Sequence, residues 1–265
     1  SIQQKGLTLQ TMWDENTKTI PVKASDMQHY KDRPDVILVC VKGYSLDGIY
    51  EFIRRIAKPQ TIVILILNIY GTGAKMQEKL PGMLVTDGCI YVSANIKEPG
   101  VILQHGKILR IFFGVRQKEE KCQLLEQIQK DFRDSAIDGI LSEQIQRDAL
   151  EKFSYVSPIG AAGLYLNATA GDFQKEGKAR ELFCTMIREI VALATAMGFP
   201  FEKDVVSVFI QFRPQIFHLF NPGFEVFEFT TFIQSLCQSI HIPARHSAIG
   251  NKPLVHDTEH LAFFP

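Results

Sequence analysis

Two unbroken apolar runs in this sequence stop at side chains that can bind a ligand. In DVILVCVKGYS, Asp35 to Ser45, six apolar residues lead to Lys42. In TIVILILN, Thr61 to Asn68, the run ends at Asn68. An ammonium group donates to carbonyl, carboxylate or phosphate oxygens, and a carboxamide both donates and accepts. Between the runs, Leu46, Ile49, Tyr50, Phe52, Ile53 and Ile56 fall at the spacing of an amphipathic helix, and Pro59 stops it.

The order strand, helix, strand is the βαβ unit of a parallel sheet, whose inner strands are covered on both faces and therefore read as continuous apolar runs. Ligands of open α/β sheets bind just beyond the carboxyl ends of the strands. Lys42 and Asn68 stand at two such ends, which makes them candidate binding residues. A lysine that only snorkels to water is the competing account of Lys42. The matching polar end at Asn68 favours binding.

The elements that must position these residues extend in both directions. MLVTDGCIYVSANIKEPGVILQHGKILRIFFG reads as short strands with turns at Asp87-Gly88, Pro99-Gly100 and His105-Gly106. Residues 118–132 read as a helix with Cys122, Leu124, Leu125, Ile128 and Phe132 on one side, and AIDGILS as one more short strand. From about residue 144 helical patterns dominate. ARELFCTMIREIVALATAMGF ends at Gly198 as a C-cap, and FTTFIQSLCQSIHIP is stopped by Pro243. The polar segment 244–265 reads as a loosely held tail. The expected architecture is a Rossmann-like parallel-sheet α/β domain over residues 1–145, followed by a mostly α-helical domain over 146–265.

Composition narrows the function classes. The 265 residues carry 29 Lys+Arg against 29 Asp+Glu, so the formal net charge of zero gives no bulk electrostatic case for nucleic acid or an anionic membrane. No apolar run approaches the roughly 20 residues of a membrane helix. The five cysteines, Cys40, Cys89, Cys122, Cys184 and Cys237, form no CxxC or Cys/His cluster, so no metal is expected. Cys40 and Cys184 read as small core residues, and a reducing cytoplasm is the simplest setting. G-x-G-x-x-G, the loop that holds a dinucleotide pyrophosphate, does not occur. The first strand of a nucleotide-binding domain, its glycine loop and the first helix are thus expected to be missing.

The pattern resembles ketopantoate reductase (2-dehydropantoate 2-reductase) over most of residues 4–243. DVILVCVKGYS is similar to the family's strand ending in a cofactor-side lysine, here Lys42. LNIYGTG resembles its Gln-Asn-Gly turn, which puts Asn68 at the asparagine near nicotinamide and substrate. KEPGVILQHG is similar to its Pro-Gly-x-x-x-x-His-x-Gly stretch, in which His105 reads as a loop hydrogen-bonding residue. ALEKFSYVSPIGA resembles the start of its C-terminal domain, with Lys152 matching the catalytic lysine. IREIVALATAMG looks like a helix with a recurrent glutamate, here Glu189, which reads as structural. FEVFEFTTFIQSLCQSIHIP is similar to the late helix that puts Glu225 at the substrate-binding glutamate, with Glu228 three residues on as a possible substitute in register.

The resemblance implies NADPH-dependent reduction of ketopantoate to pantoate, for pantothenate and coenzyme A synthesis. It implies Lys152 as proton donor, Glu225 and Asn68 on the substrate, and Lys42 and Asn68 on the NADP side. The partner is a small 2-oxo acid, with a homodimer as one use of the apolar FIQSLCQSI pattern. On its own, a lysine on a first helical turn reads as a solvated surface residue.

The sequence departs from the family at several places. Ile69 stands where the turn has glycine and Leu67 where it has glutamine. Val156 and Gly160 replace asparagines four and eight residues after the lysine, and RPQIFHLFNPGFE replaces a serine-bearing stretch. Three readings follow: a ketopantoate reductase lacking its N-terminal segment, a reductase of another 2-oxo acid, or a non-catalytic remnant of the fold.

Overall fold

The structure is a computed structural model and describes residues 2–14 and 17–211. Glu225, the FTTFIQSLCQSIHIP segment, Cys237 and the tail lie outside the described residues. The chain runs through α1 (Ile2–Lys5), β1 (Leu7–Thr11), β2 (Thr17–Ile20), β3 (Val36–Val39), α2 (Tyr50–Ile56), β4 (Ile62–Leu65), α3 (Thr72–Lys79), β5 (Leu84–Glu98) and β6 (Val101–Gly114). It continues through α4 (Gln123–Asp134), β7 (Asp138–Leu141), α5 (Ile145–Leu166), α6 (Lys178–Ala196) and α7 (Val205–Gln211).

The strands form one mixed sheet in the order β2-β1-β6-β5-β4-β3, with β7 also paired to β6. β3, β4 and β5 are parallel, with Val36 opposite Ile62 and Ile62 opposite Leu84. This is the expected Rossmann-like unit, and helices follow the last strand. β6 turns back antiparallel to β5, while β1 and β7 run parallel to β6.

β4 explains why an uninterrupted apolar run is needed here. All four of its residues are buried. Val63 and Leu65 pack with Ile53 and Ile56 of α2 and Met76 of α3. Ile62 and Ile64 point the other way, onto Ile111, Phe113 and the α4 residues Leu125 and Ile128. Alternate residues of a strand face opposite sides, so only a strand covered on both faces must be apolar throughout. In the helical half, Tyr155 of α5 lies between Phe183 of α6 and Phe209 of α7, with ring centroids 6.2 and 4.6 Å away.

Several expectations are corrected. β5 and β6 are long strands of 15 and 14 residues, and Asp87-Gly88 and His105-Gly106 lie inside them rather than in turns. Only Pro99-Gly100 turns the chain, with Gly100 at φ +85°. Gly88 is required because a Cβ there would sit 2.9 Å from the carbonyl oxygens of both Leu65 and Phe112, closer than a side chain tolerates. His105-Gly106 marks a bulge, since the pairing jumps from Val92–Leu109 to Ala94–Gln104. His105 there bonds Asn95 through Nε2 at 2.5 Å and reaches the Met12 sulfur through Nδ1 at 2.9 Å. Cys184 is buried, but Cys40 is exposed, because β3 ends at Val39 and Cys40 falls beyond the sheet. Cys122 is also exposed, as the residue preceding α4. Among the described residues, no helix is long and apolar enough to cross a membrane.

Candidate active site

The site forms where the parallel strands end. Leaving β3, the chain makes a 3₁₀ turn over Gly43–Gly48 that starts at Lys42, whose carbonyl accepts from the Ser45 amide at 2.9 Å. Lys42 is exposed, and partial desolvation lowers the pKa of its ammonium. Leaving β4, residues 67–71 loop over to α3. Gly71 takes φ +79° as the residue before that helix, a conformation suited to glycine. Thr72 Oγ1 donates to the Ile69 carbonyl at 2.9 Å and closes the loop. Ile69 lies against Gly43, where an added Cβ would collide with its Cδ1, so the two strand-end loops touch.

Asp87 of β5 anchors the first turn of α3. A Cβ on Gly73 would collide with its carboxylate, which pairs with Arg116 at 3.2 Å. Arg116 also donates to the Val85 carbonyl at 2.8 Å. Gln77 of α3 completes the clamp, donating to the Met83 carbonyl at 2.8 Å and accepting from the Val85 amide at 3.0 Å.

Lys152 arrives from the opposite side on α5. The start of that helix is fixed by Ser142, whose hydroxyl donates to Asp148 at 2.5 Å and accepts from the Gln144 amide at 2.9 Å. Lys152 is 9% exposed. Its Nζ donates to the main-chain oxygen of Ile90 and lies 4.6 Å from the centroid of the Tyr91 ring. Burial pulls its pKa down to about 8. Burial pushes the Cys89 thiol up to about 12, so the thiol stays protonated and acts as a small, nearly apolar wall. Glu151, beside Lys152, is also shifted upward by burial.

These parts line a small open cleft, with Asn68, Tyr70, Asp87, Cys89, Lys152 and Phe153 among its walls. Asn68 and Lys152 are therefore brought together, from the α/β and helical halves. Lys42 is not part of the lining and stands at the neighbouring strand end. Glu225 lies outside the described residues, and Glu189 is an exposed residue of α6. Sequence reasoning did not single out Tyr91, Cys89 or the Asp87–Arg116 pair. A carboxylate set between the apolar residues Leu84 and Val85 and the apolar residues Cys89 and Ile90 was the available signal for Asp87. A buried ammonium with a lowered pKa can give a proton to a developing oxyanion, and a carboxamide can orient a carbonyl beside it.

Two family models cover the chain: "Ketopantoate reductase PanE/ApbA" over residues 1–118 and "Ketopantoate reductase PanE/ApbA C terminal" over residues 144–220. The chain belongs to the ketopantoate reductase family. Among relatives of the family, the 2-dehydropantoate 2-reductase of Nostoc sp. strain PCC 7120 is 24% identical over 180 residues, covering 67% of this chain and 55% of that protein. The chain spans only 54–55% of the length of the curated relatives it matches.

The 2-dehydropantoate 2-reductase structure from Porphyromonas gingivalis W83 superposes with a TM-score of 0.71 at 21% identity, covering 87% of this chain and 78% of that one. D-mandelate dehydrogenase, solved with NADH and anilino(oxo)acetate, superposes with a TM-score of 0.72 at 17% identity, covering 84% of this chain and 72% of that one. At these identities the structures establish the fold that a ketopantoate reductase family member is expected to have.

Proposed function

We propose that this chain carries the substrate-reducing machinery of an NADPH-dependent 2-oxo acid reductase, with ketopantoate as the substrate the family suggests and pantoate as product. The observation that carries this is the meeting of Lys152 and Asn68 in one cleft at the strand ends, with the lysine desolvated. Bound NADPH would supply the hydride that reaches the keto carbon. Lys152 would polarise the keto oxygen and pass it a proton as negative charge develops there. Asn68 would orient the carbonyl through its amide.

The residues present fit the nicotinamide end of the cofactor. The glycine-bearing loop of residues 67–71 and the exposed Lys42 flank the carboxyl ends of β4 and β3. Lys42 would stand beside the cofactor, while the pyrophosphate end has no glycine-rich loop among these residues. Glu225 would accept from the substrate hydroxyl, and the substrate-holding helical part would begin near residue 146.

A second reading, reduction of another 2-oxo acid, has an observation of its own. Val156 packs partly buried into the helical core and Gly160 is buried without a side chain, so neither offers the polar group that a hydroxylated substrate would meet. An apolar or aromatic 2-oxo acid, such as the oxo form of the mandelate named for the structural neighbour, has no need of such a polar group.

The experiment is NADPH oxidation with ketopantoate, phenylglyoxylate and a series of aliphatic 2-oxo acids, paired with a direct NADPH binding titration. Turnover with ketopantoate fastest supports the first reading, and turnover with an apolar acid fastest supports the second. Absence of both binding and turnover, in this chain and in a version extended upstream to supply a glycine-rich loop, sinks the reductase reading and leaves a non-catalytic remnant of the fold.

A further inference from the structure

Lys152 has no carboxylate ion pair among the described residues, although it is buried in the wall of the cleft. Its own helix carries Asp148 and Glu151 nearby, but Asp148 is engaged by Ser142 and Arg147. From β5 it is faced by the Cys89 thiol and the Tyr91 ring, with the Asp87 carboxylate further along the cleft and already paired with Arg116. From β6 the residue opposite Tyr91 is Arg110, whose charge is paired with Asp138.

The geometry of the ring fits a specific task. Cys89 and Tyr91 are two apart on β5 and so point to the same face, toward α5. Phe112 on β6 stands opposite Cys89 and meets Tyr91 edge-on, with centroids 5.8 Å apart and planes at 65°. That contact fixes the tilt of the Tyr91 ring and presents its face to Nζ at 4.6 Å. The face of an aromatic ring is electron-rich and attracts a cation, more so where water is excluded. Burial raises the pKa of the Tyr91 hydroxyl, so the ring acts as a neutral group.

We propose that Tyr91 is a positioning residue that takes the place of a counter-ion for Lys152, holding its ammonium protonated and directing one N–H into the cleft beside Asn68. An ammonium has three N–H donors. One goes to the Ile90 carbonyl and one side faces the ring, which leaves the third for the cleft. A carboxylate in the ring's place would hold the proton too tightly to be given up. A bare apolar wall would hold it less firmly and give the ammonium no fixed direction. The ring is the intermediate case that suits a proton donor near neutral pH. The role rests on the proposed reading of Lys152 as the donor.

The test reads the lysine directly. The whole chain is labelled with lysine carrying ¹³C at Cε, the Lys152 resonance is assigned by its loss in Lys152→Met, and its pKa is followed by NMR titration. Position 91 is changed to phenylalanine and then to phenylalanines bearing one, two and three ring fluorines, which drain the ring face while keeping its shape. Tyr91→Phe should keep the Lys152 pKa, and fluorination should lower it stepwise, by about one unit across the series. The alkaline limb of kcat should move down in parallel. A pKa indifferent to fluorination, in variants whose Lys152→Met counterpart loses turnover, overturns the role of Tyr91 and leaves the reductase reading intact. Absence of turnover in the parent chain and in its upstream-extended version overturns the reductase reading instead, while the fluorination series still decides whether ring and lysine are coupled.

Discussion

Asp87 and Arg116 face each other at 3.2 Å with side chains only 15% and 13% exposed, and their pairing holds the first turn of α3 against β5. The loop that carries Asn68 runs directly into that turn, so the pair lies one step behind the candidate site. Removing one partner of a largely buried pair leaves the other charge desolvated and unanswered. Arg116→Ala is therefore expected to cost about 3–5 kcal/mol of folding stability. The double variant Asp87→Leu with Arg116→Met should recover much of that loss. Urea unfolding of the three proteins checks this, and a double variant as unstable as the single one would count against it.

Lys152 should make stability depend on alkaline pH. Its pKa falls from 10.5 when unfolded to about 8 in the fold. Between those values the unfolded chain binds more protons than the folded one, so stability rises with pH across that window and is flat below it. The shift corresponds to a penalty of roughly 3 kcal/mol below pH 8. Lys152→Met removes a charge that the fold holds at a cost, and the variant should unfold at higher temperature than the parent at pH 7. The gap should close by about pH 10.5. Thermal unfolding of both proteins across this range is the measurement.

The same group sets an opposite trend for chemistry. If Lys152 gives the proton, the protonated form is the active one, and kcat should fall about tenfold per unit as pH rises past about 8. Lys152→Met should lower kcat by about 10²–10⁴ and abolish that alkaline limb. Asn68→Ala should reduce kcat/KM at all pH values alike, because a carboxamide does not titrate. Steady-state profiles of parent and variants separate the two roles.

Part of this architecture was legible in the sequence. β4 is buried on both faces, so its run had to be apolar throughout, and the ends at Lys42 and Asn68 marked where the sheet stops. The β5–β6 hairpin was misread because Asp-Gly and His-Gly resemble turns. Asp87 is answered by Arg116, 29 residues later, and Gly88 is demanded by backbones on two neighbouring strands. Neither cause is visible in a local window. Burial of Lys152 is equally non-local, since its carbonyl acceptor on Ile90 lies 62 residues away. Lysine is so rarely buried that pattern alone reads it as surface, and only the family resemblance picked it out.

The glycines of the sheet offer a test of whether close backbone approach, rather than chain flexibility, sets the wall of the cleft. Gly88 lines that wall and leaves no room for a methyl group, with the carbonyl oxygens of Leu65 and Phe112 each 2.9 Å from the Cβ position. Both obstacles are main chain of paired strands, so neither can swing aside as a flexible side chain would. Gly88→Ala should force β4 and β6 apart and cost about 1–3 kcal/mol. It should also shift the NMR signals of its neighbour Cys89 and of Lys152 across the cleft. Gly48, in the turn after β3, has nothing within 4 Å of its Cβ position and an ordinary φ. Gly48→Ala should be neutral or stabilising by about 0.4–1 kcal/mol, because it restricts the unfolded chain without a clash. Equal destabilisation by the two substitutions would mean that chain flexibility, not strand spacing, is what glycine supplies at position 88.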